Sequence, residues 1–275
     1  RMSGYNLQNI PTRKPIGEQI KRAFIPDEGK VFVARDYSQA EARVVAHLSR
    51  AVGLIELFDD PTRDVHKENA SRIFNKTLTA VSETERYLAK RVVHAVNYGE
   101  MEDTLAQSIN EDAEETKVWI SVDEARRLRE AYFSIYPEIQ EVFWANVRRE
   151  LKQSRTLTTP WGMKRTFYGR WGQDLFRKAY AFVPQSLIGQ MGRRALVACY
   201  KEIEVAQPEW GAQVLLNVHD SIVMQCNEYA LGLVARRMGE VMRFPLVING
   251  KDVAVPTDCQ VGWNWGKSSA ANSMG

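Results

Sequence analysis

Strand-like runs lie only towards the two ends of this 275-residue chain, and a helical pattern fills what separates them. Val31-Phe32-Val33-Ala34-Arg35-Asp36 is a short β-prone run. Nothing comparable returns until Val214, Leu216 and Val218 alternate and Ile222 and Met224 resume the apolar series, and residues 253–261 form a last extended stretch. From about 52 to 154 the pattern is helical almost throughout, with capping boxes at Ser82/Glu85 and Ser121/Glu124 and a breaker at Pro137. Strands this far apart can share a sheet only if the chain leaves it and comes back. The pattern therefore predicts an α+β fold, a sheet-based domain interrupted by a helical insertion.

Local signals place the punctuation. Residues 1–30, rich in Pro, Gly, Asn and Gln, read as loop with short extended pieces. Ser38, with Glu41 three residues on, reads as the N-cap of a helix running to about Ser49, so Asp36 sits where a strand gives way to a helix. Trp161-Gly162 marks a turn, a long helix is expected from about 175 to 205 with Pro208 and Gly211 to stop it, and another helix near 229–242. His219-Asp220-Ser221 supplies turn formers between two apolar runs, which predicts a β-hairpin with an acid at its tip.

Composition narrows the partners. With 37 Lys+Arg against 34 Asp+Glu the formal net charge is only +3, so an anionic partner must be held by locally clustered cations. Cys199, Cys226 and Cys259 show no CxxC spacing, which argues against a disulfide framework or a zinc site and for a reducing compartment, by default the cytosol or, for a viral protein, the host cytoplasm. No apolar run approaches the roughly 18–20 residues of a membrane span, and no targeting signal is visible. The chain opens at Arg1, inside a motif, as a processed chain or an excised fragment would.

Two acids stand out. Asp36 and Asp220, 184 positions apart, each occupy an end or tip of the expected sheet. Hard oxygen donors from neighbouring strands suit Mg²⁺, which keeps much of its water and binds through one or two carboxylates plus a substrate phosphate. The plainer alternative is structural, since Asp is a common turn and capping residue. On the helix opened by Ser82, Arg86, Lys90, His94 and Tyr98 recur every four residues and share one face, while Leu88, Ala89, Val92, Val93, Ala95 and Val96 populate the other. A solvated basic face would alternate cations with acids. This row ends in an imidazole and a phenol, which fits a ligand with phosphates at one end and an aromatic base at the other.

Taken in order, Arg1-Met2-Ser3, Asn6-Leu7-Gln8-Asn9-Ile10-Pro11, DYSQAEAR from Asp36 to Arg43, RYLAK…YG from Arg86 to Gly99 and VHDS from Val218 to Ser221 resemble the ordered motifs of family A, bacterial polymerase I-like DNA polymerases. Further matches are DVH at Asp64–His66, AYFSIYPEI at Ala131–Ile139, TPWGMKR at Thr159–Arg165 and VGWNW near the C-terminus. The resemblance implies a right-hand architecture. Residues 1–50 and 171–275 would form the palm, an antiparallel sheet with packed helices, and 51–170 an inserted all-helical fingers subdomain. It further implies a template-directed DNA polymerase core that adds deoxynucleotides to a primer 3′ end by two-metal phosphoryl transfer, with primer–template DNA and deoxynucleoside triphosphates as partners.

Carried over residue by residue, the resemblance implies that Asp36, Asp220 and the main-chain carbonyl of Tyr37 hold two Mg²⁺ ions. Arg86 and Lys90 would clamp the phosphates, with Lys90 also protonating the leaving group. Gln39, Glu41, His94 and Tyr98 would complete the nucleotide site, Glu41 crowding the 2′ position of the sugar and Tyr98 lying by the templating base. Arg1, Asn6, Gln8, Asn9, Arg177, Gln185 and His219 would touch primer, template or minor groove, where shape and hydrogen bonding are read rather than sequence.

The chain also departs from that pattern. His94 stands where the family usually has Phe or Tyr, Ser221 where a Glu usually follows the catalytic Asp, and Ala181 where an Asn is usual. Metal binding is therefore expected to rest on Asp36 and Asp220 alone. His-Asp-Ser also resembles the single-subunit RNA polymerases, which lack a carboxylate like Glu41. A non-catalytic nucleic-acid-binding fragment and a two-metal nuclease are the remaining readings of the same acids. In the family a thumb and an exonuclease domain precede the segment equivalent to Arg1. A partner chain or a missing N-terminal region is expected to supply them, and without a thumb the grip on duplex should be weak and salt-sensitive.

Overall fold

The computed structural model describes residue 10 and residues 15–266. The expected DNA contacts Arg1, Asn6, Gln8 and Asn9 lie outside the described residues. In chain order the elements are α1 (Pro15–Arg22), β1 (Lys30–Tyr37), α2 (Ala40–Ser49), α3 (Val52–Asp59), α4 (Val65–Ile73), α5 (Glu83–Val96), α6 (Glu102–Asn110), α7 (Ala113–Thr116), α8 (Val122–Ile135) and α9 (Ala145–Ser154). There follow β2 (Thr156–Thr158), β3 (Lys164–Thr166), α10 (Gln173–Cys199), β4 (Gln213–Val218), β5 (Ser221–Asn227), α11 (Leu231–Val241), β6 (Val247–Ile248), β7 (Lys251–Asp252) and β8 (Thr257–Gly262). π-Helical turns at Ile139–Trp144 and Tyr200–Val205 lead into α9 and continue α10.

Several local expectations are revised. The opening segment is not all loop. α1 forms because a proline is tolerated at the first helical position, and because Glu18 near its start and Lys21 and Arg22 at its end complement the helix dipole. α2 begins at Ala40 rather than after Ser38: Gln39 has a left-handed backbone (φ 51°), and Ser38 N donates instead to Pro256 O at 2.9 Å. The hairpins β2–β3 and β6–β7, with strands of three and two residues, are too short to show a periodicity. The second was nevertheless readable in Asn249-Gly250, whose φ values of 52° and 75° are what a tight hairpin turn needs.

Contacts divide the chain into two compact units. In the first (Arg1–Ala40, Ile188–Leu246, Ala254–Gly275) four strands pair antiparallel in the order β4-β5-β1-β8. Side chains alternate along a strand, so β1 sends Arg35 and Tyr37 to one face and Phe32, Ala34 and Asp36 to the other. The first face seats α11. Arg35 Nε donates to Ala235 O at 2.9 Å and its Nη1 to Thr257 Oγ1 at 2.7 Å, and the buried Tyr37 hydroxyl donates to Met242 O at 2.7 Å. Gly239 makes room for Arg35, since a Cβ there would lie 2.8 Å from the guanidinium carbon.

The second unit (Glu41–Leu187, Val247–Val253) is built on a helical core. α5 buries Leu88, Ala89, Val92, Val93 and Val96, as its spacing predicts, with Ala95 half-buried. It starts with the expected capping box: Glu85 N donates to Ser82 Oγ and Ser82 N donates to Glu85 Oε2 at 2.9 Å. Polar groups drawn into this core are paired, as buried donors must be. Tyr132 OH donates to Asn97 Oδ1 (2.9 Å), and Trp144 Nε1 donates to Asn97 O (3.0 Å). Trp144 also stacks on Tyr180, with centroids 4.7 Å apart. Among the described residues no helix is long and apolar enough to cross a membrane, and the three cysteines are free thiols.

Candidate functional site

The sheet face turned away from α11 carries a recess of about 260 Å³, and strand alternation dictates its floor. Phe32, Ala34 and Asp36 come from β1, Ser221 and Val223 from β5, and Asp258, Gln260 and Gly262 from β8. Asp36 lies opposite Ser221 on one side and Asp258 on the other. Asp220 is the second residue of the two-residue turn between β4 and β5. His219, exposed and with φ 56°, turns the chain so that Val218 and Ser221 can pair. Tyr37 N donates to Asp220 O at 3.4 Å, anchoring the turn to the end of β1.

Two acids 184 positions apart in sequence thereby line the same recess, close enough for each charge to act on the other. Much of Asp36's surface meets solvent, yet the recess walls strip water from its carboxyl. That burial, followed by the charge of Asp220, the hydrogen bond to it and the charge of Asp258, pushes the Asp36 pKa up to about 7. Crowded hard-oxygen donors of like charge fit a divalent cation such as Mg²⁺. Among the described residues no group of three or more His, Cys, Asp or Glu is placed to hold a metal ion. A pair of carboxylates suits an ion that takes its remaining ligands from water and phosphate.

Asp258 is the acid that the sequence reading missed. It sits in a terminal strand with no turn signal, and only the register of β8 on β1 puts it beside Asp36. It stands across β1 from Ser221, the position where the family pattern carries a Glu.

In the second unit the row on α5 is differentiated. Arg86 Nε is bonded to Asp64 Oδ2 at 2.7 Å, and Asp64 also caps α4 by accepting from His66 N and Lys67 N, each at 3.0 Å. The DVH motif is thus a helix cap that holds an arginine. Lys90 is exposed and makes no ion pair among the described residues. The rings of His94 and buried His66 lie 6.1 Å apart. Burial first, then the charges of Lys90, His94 and Arg86, lowers the His66 pKa to about 4. Tyr98 OH donates to Glu41 Oε2 at 2.6 Å. Gly99 follows at φ 79°, a backbone that favours glycine, and a Cβ there would crowd the Tyr180 ring at 3.2 Å.

The other expected residues are more scattered. Gln39 Oε1 is buried with no hydrogen-bond partner among the described residues. On α10, Arg177 and Ala181 are half-buried and Gln185 is exposed.

The sequence model of DNA polymerase family A matches residues 1–267. The chain is similar to the thermostable DNA polymerase I of Thermus aquaticus, 34% identical over a 272-position alignment that covers 94% of this chain and 29% of the relative. It is similar to DNA polymerase I of Chloroflexus aurantiacus, 32% identical over a 278-position alignment that covers 96% of this chain and 27% of the relative. Among solved structures it is similar to the POL domain of Pol1 from M. smegmatis in complex with DNA primer-template and dNTP, with TM-score 0.80 and 28% identity over 94% of this chain and 44% of that one. The chain spans less than a third of the length of these curated relatives.

Proposed function

The chain belongs to DNA polymerase family A and has the α+β palm-and-fingers fold, and from that premise we propose that it is the catalytic core of a template-directed DNA polymerase adding deoxynucleotides to a primer 3′ end. Residues 1–50 and 171–275 act as palm and 51–170 as fingers. The observation that carries the reading is the Asp36–Asp220 carboxyl pair at the end of the recess.

In this reading Asp36, Asp220 and the Tyr37 carbonyl hold two Mg²⁺ ions. Bound there, Mg²⁺ lowers the pKa of the primer hydroxyl and neutralises charge on the transferred phosphoryl group and departing pyrophosphate. Lys90 meets the triphosphate and gives a proton to the leaving group, its ammonium being exposed and without an ion pair among the described residues. Arg86 meets the phosphates at the cost of sharing itself with Asp64. Glu41, fixed by the Tyr98 hydroxyl, excludes a 2′-hydroxyl. Gln39 and His94 border the nucleotide, Tyr98 lies by the templating base, and Arg177, Gln185 and His219 contact primer or template.

Extension of a labelled primer on a template, with Mg²⁺ and deoxynucleotides, tests the proposal. Asp36→Asn and Asp220→Asn are expected to stop extension while primer–template affinity stays within about threefold. Extension by Asp220→Asn would remove its metal role. Binding without extension by the unmutated chain would select the binding-only reading, a ladder from ribonucleotides without primer RNA synthesis, and Mg²⁺-dependent shortening of DNA a nuclease.

A further inference from the structure

Between Arg155 and Lys178 the chain gathers six cations, Arg155, Lys164, Arg165, Arg170, Arg177 and Lys178, against the single acid Asp174, although the whole chain carries only +3. Apart from Arg177, the proposed chemistry uses none of them. Aromatic residues are interleaved with this charge, and the fold puts two of them in water. β3 exposes Lys164, Arg165 and Thr166 along its whole length, and the chain then runs to α10 beside a recess of about 550 Å³. Phe167 is buried edge-on against Phe182 and ties the loop to the core. Beyond it Tyr168 is 87% exposed and Trp171 48% exposed.

Arg155 props this loop from behind. Its Nη1 donates to Phe167 O at 3.0 Å and Gly169 O at 2.7 Å, and its guanidinium carbon lies 4.4 Å from the Trp171 ring centroid. The rings are therefore presented on a braced backbone. Asp174 is committed to Lys178 at 2.7 Å, and Arg165 and Arg170 have no acidic partner among the described residues. Large exposed rings beside arginines that no described acid neutralises fit a polyanion with accessible π-faces. A duplex hides its base faces and could use only the charge, whereas an unpaired strand uses both.

We propose that the segment from Lys164 to Lys178 is a platform for single-stranded DNA, with bases stacking on Tyr168 and Trp171 and phosphates meeting Arg165 and Arg170. That the strand is DNA, an unpaired template, rests on the polymerase reading.

Fluorescence anisotropy of the full chain with labelled oligothymidylate and labelled blunt duplex tests it. Because base–aromatic stacking contributes about 1–3 kcal/mol per base, the Tyr168→Ala/Trp171→Ala double variant should bind oligothymidylate at least about tenfold more weakly. Its duplex affinity should be unchanged. Tyr168→Phe/Trp171→Phe keeps the rings and should keep the binding, and Arg165→Gln/Arg170→Gln should flatten its salt dependence. Both rings are exposed, and matched thermal unfolding curves verify that the variants fold.

Unchanged oligothymidylate affinity in the alanine variant, equal weakening of both DNAs, or no oligothymidylate binding by the unmutated chain overturns the proposal. Primer extension on a one-nucleotide overhang separates the two readings. Addition there by an alanine variant that has lost oligothymidylate binding supports the platform, and failure of the unmutated chain to extend any primer sinks the polymerase reading alone.

Discussion

The Tyr98 hydroxyl donates to Glu41 Oε2 at 2.6 Å, tying the turn after α5 to the first turn of α2 across 57 positions. Burial first, then the Glu41 charge, drives the Tyr98 pKa far above its usual range, so the phenol remains a donor at any working pH. Tyr98→Phe keeps the ring and removes the bond. Hydrogen bonds to charged groups contribute about 1.5–3 kcal/mol, and Glu41 is only half-buried, so urea unfolding should show a loss of about 1–2 kcal/mol. In extension assays the same variant should accept ribonucleotides more readily, because the carboxylate is free to swing. Unchanged sugar selectivity would show that Glu41 needs no brace.

His66 makes stability depend on pH. It is 7% exposed, its Nδ1 has no hydrogen-bond partner among the described residues, and its pKa falls from 6.5 to about 4. The unfolded chain binds a proton near pH 6.5 that the folded chain refuses until about pH 4. Its contribution is therefore complete above 6.5 and lost on acidification toward 4, by on the order of 3 kcal/mol. Urea midpoints measured across that window should fall with pH, and His66→Gln should flatten the slope. An equally steep slope in the variant would assign it elsewhere.

Asp36 acts with the opposite sign. Its pKa is raised from 3.8 to about 7, so the folded state holds the extra proton and stability declines as pH rises through that interval. Carboxyl-carbon NMR in metal-free buffer should place its midpoint near 7. Asp220→Asn should lower it most, because it removes both a charge and a hydrogen bond, and Asp258→Asn less, because it removes only the smaller charge effect. Added Mg²⁺ should also pull the midpoint down, and a midpoint indifferent to Mg²⁺ would count against metal binding at this pair.

Asp64 and Lys90 separate structure from binding on the basic face. Asp64→Ala removes the cap of α4 and should cost about 1 kcal/mol of stability, while freeing Arg86 from its 2.7 Å partner. Lys90→Ala leaves every described ion pair intact and should leave stability unchanged, while raising the apparent nucleotide requirement and slowing addition. Single-nucleotide kinetics identical to the unmutated chain would remove Lys90 from the phosphate site.

What could be read in advance was whatever depends on near neighbours. The buried stripe of α5, its Ser82–Glu85 capping box and the hairpin with Asp220 at its tip were all visible, because helical period, capping and turn chemistry act over four residues or fewer. α1 and the Asn249-Gly250 hairpin carry local signals of the same kind, a proline at a helix start and a two-residue turn.

The sequence by itself determined which segments are helix or strand and which side chains could carry charge, protons or metal. Only the tertiary structure decided which of them meet: Asp36 with Asp220 and Asp258, Arg86 with Asp64, Tyr98 with Glu41. Those pairings follow from strand register and helix packing between segments 22 to 222 positions apart, where no local periodicity specifies a partner.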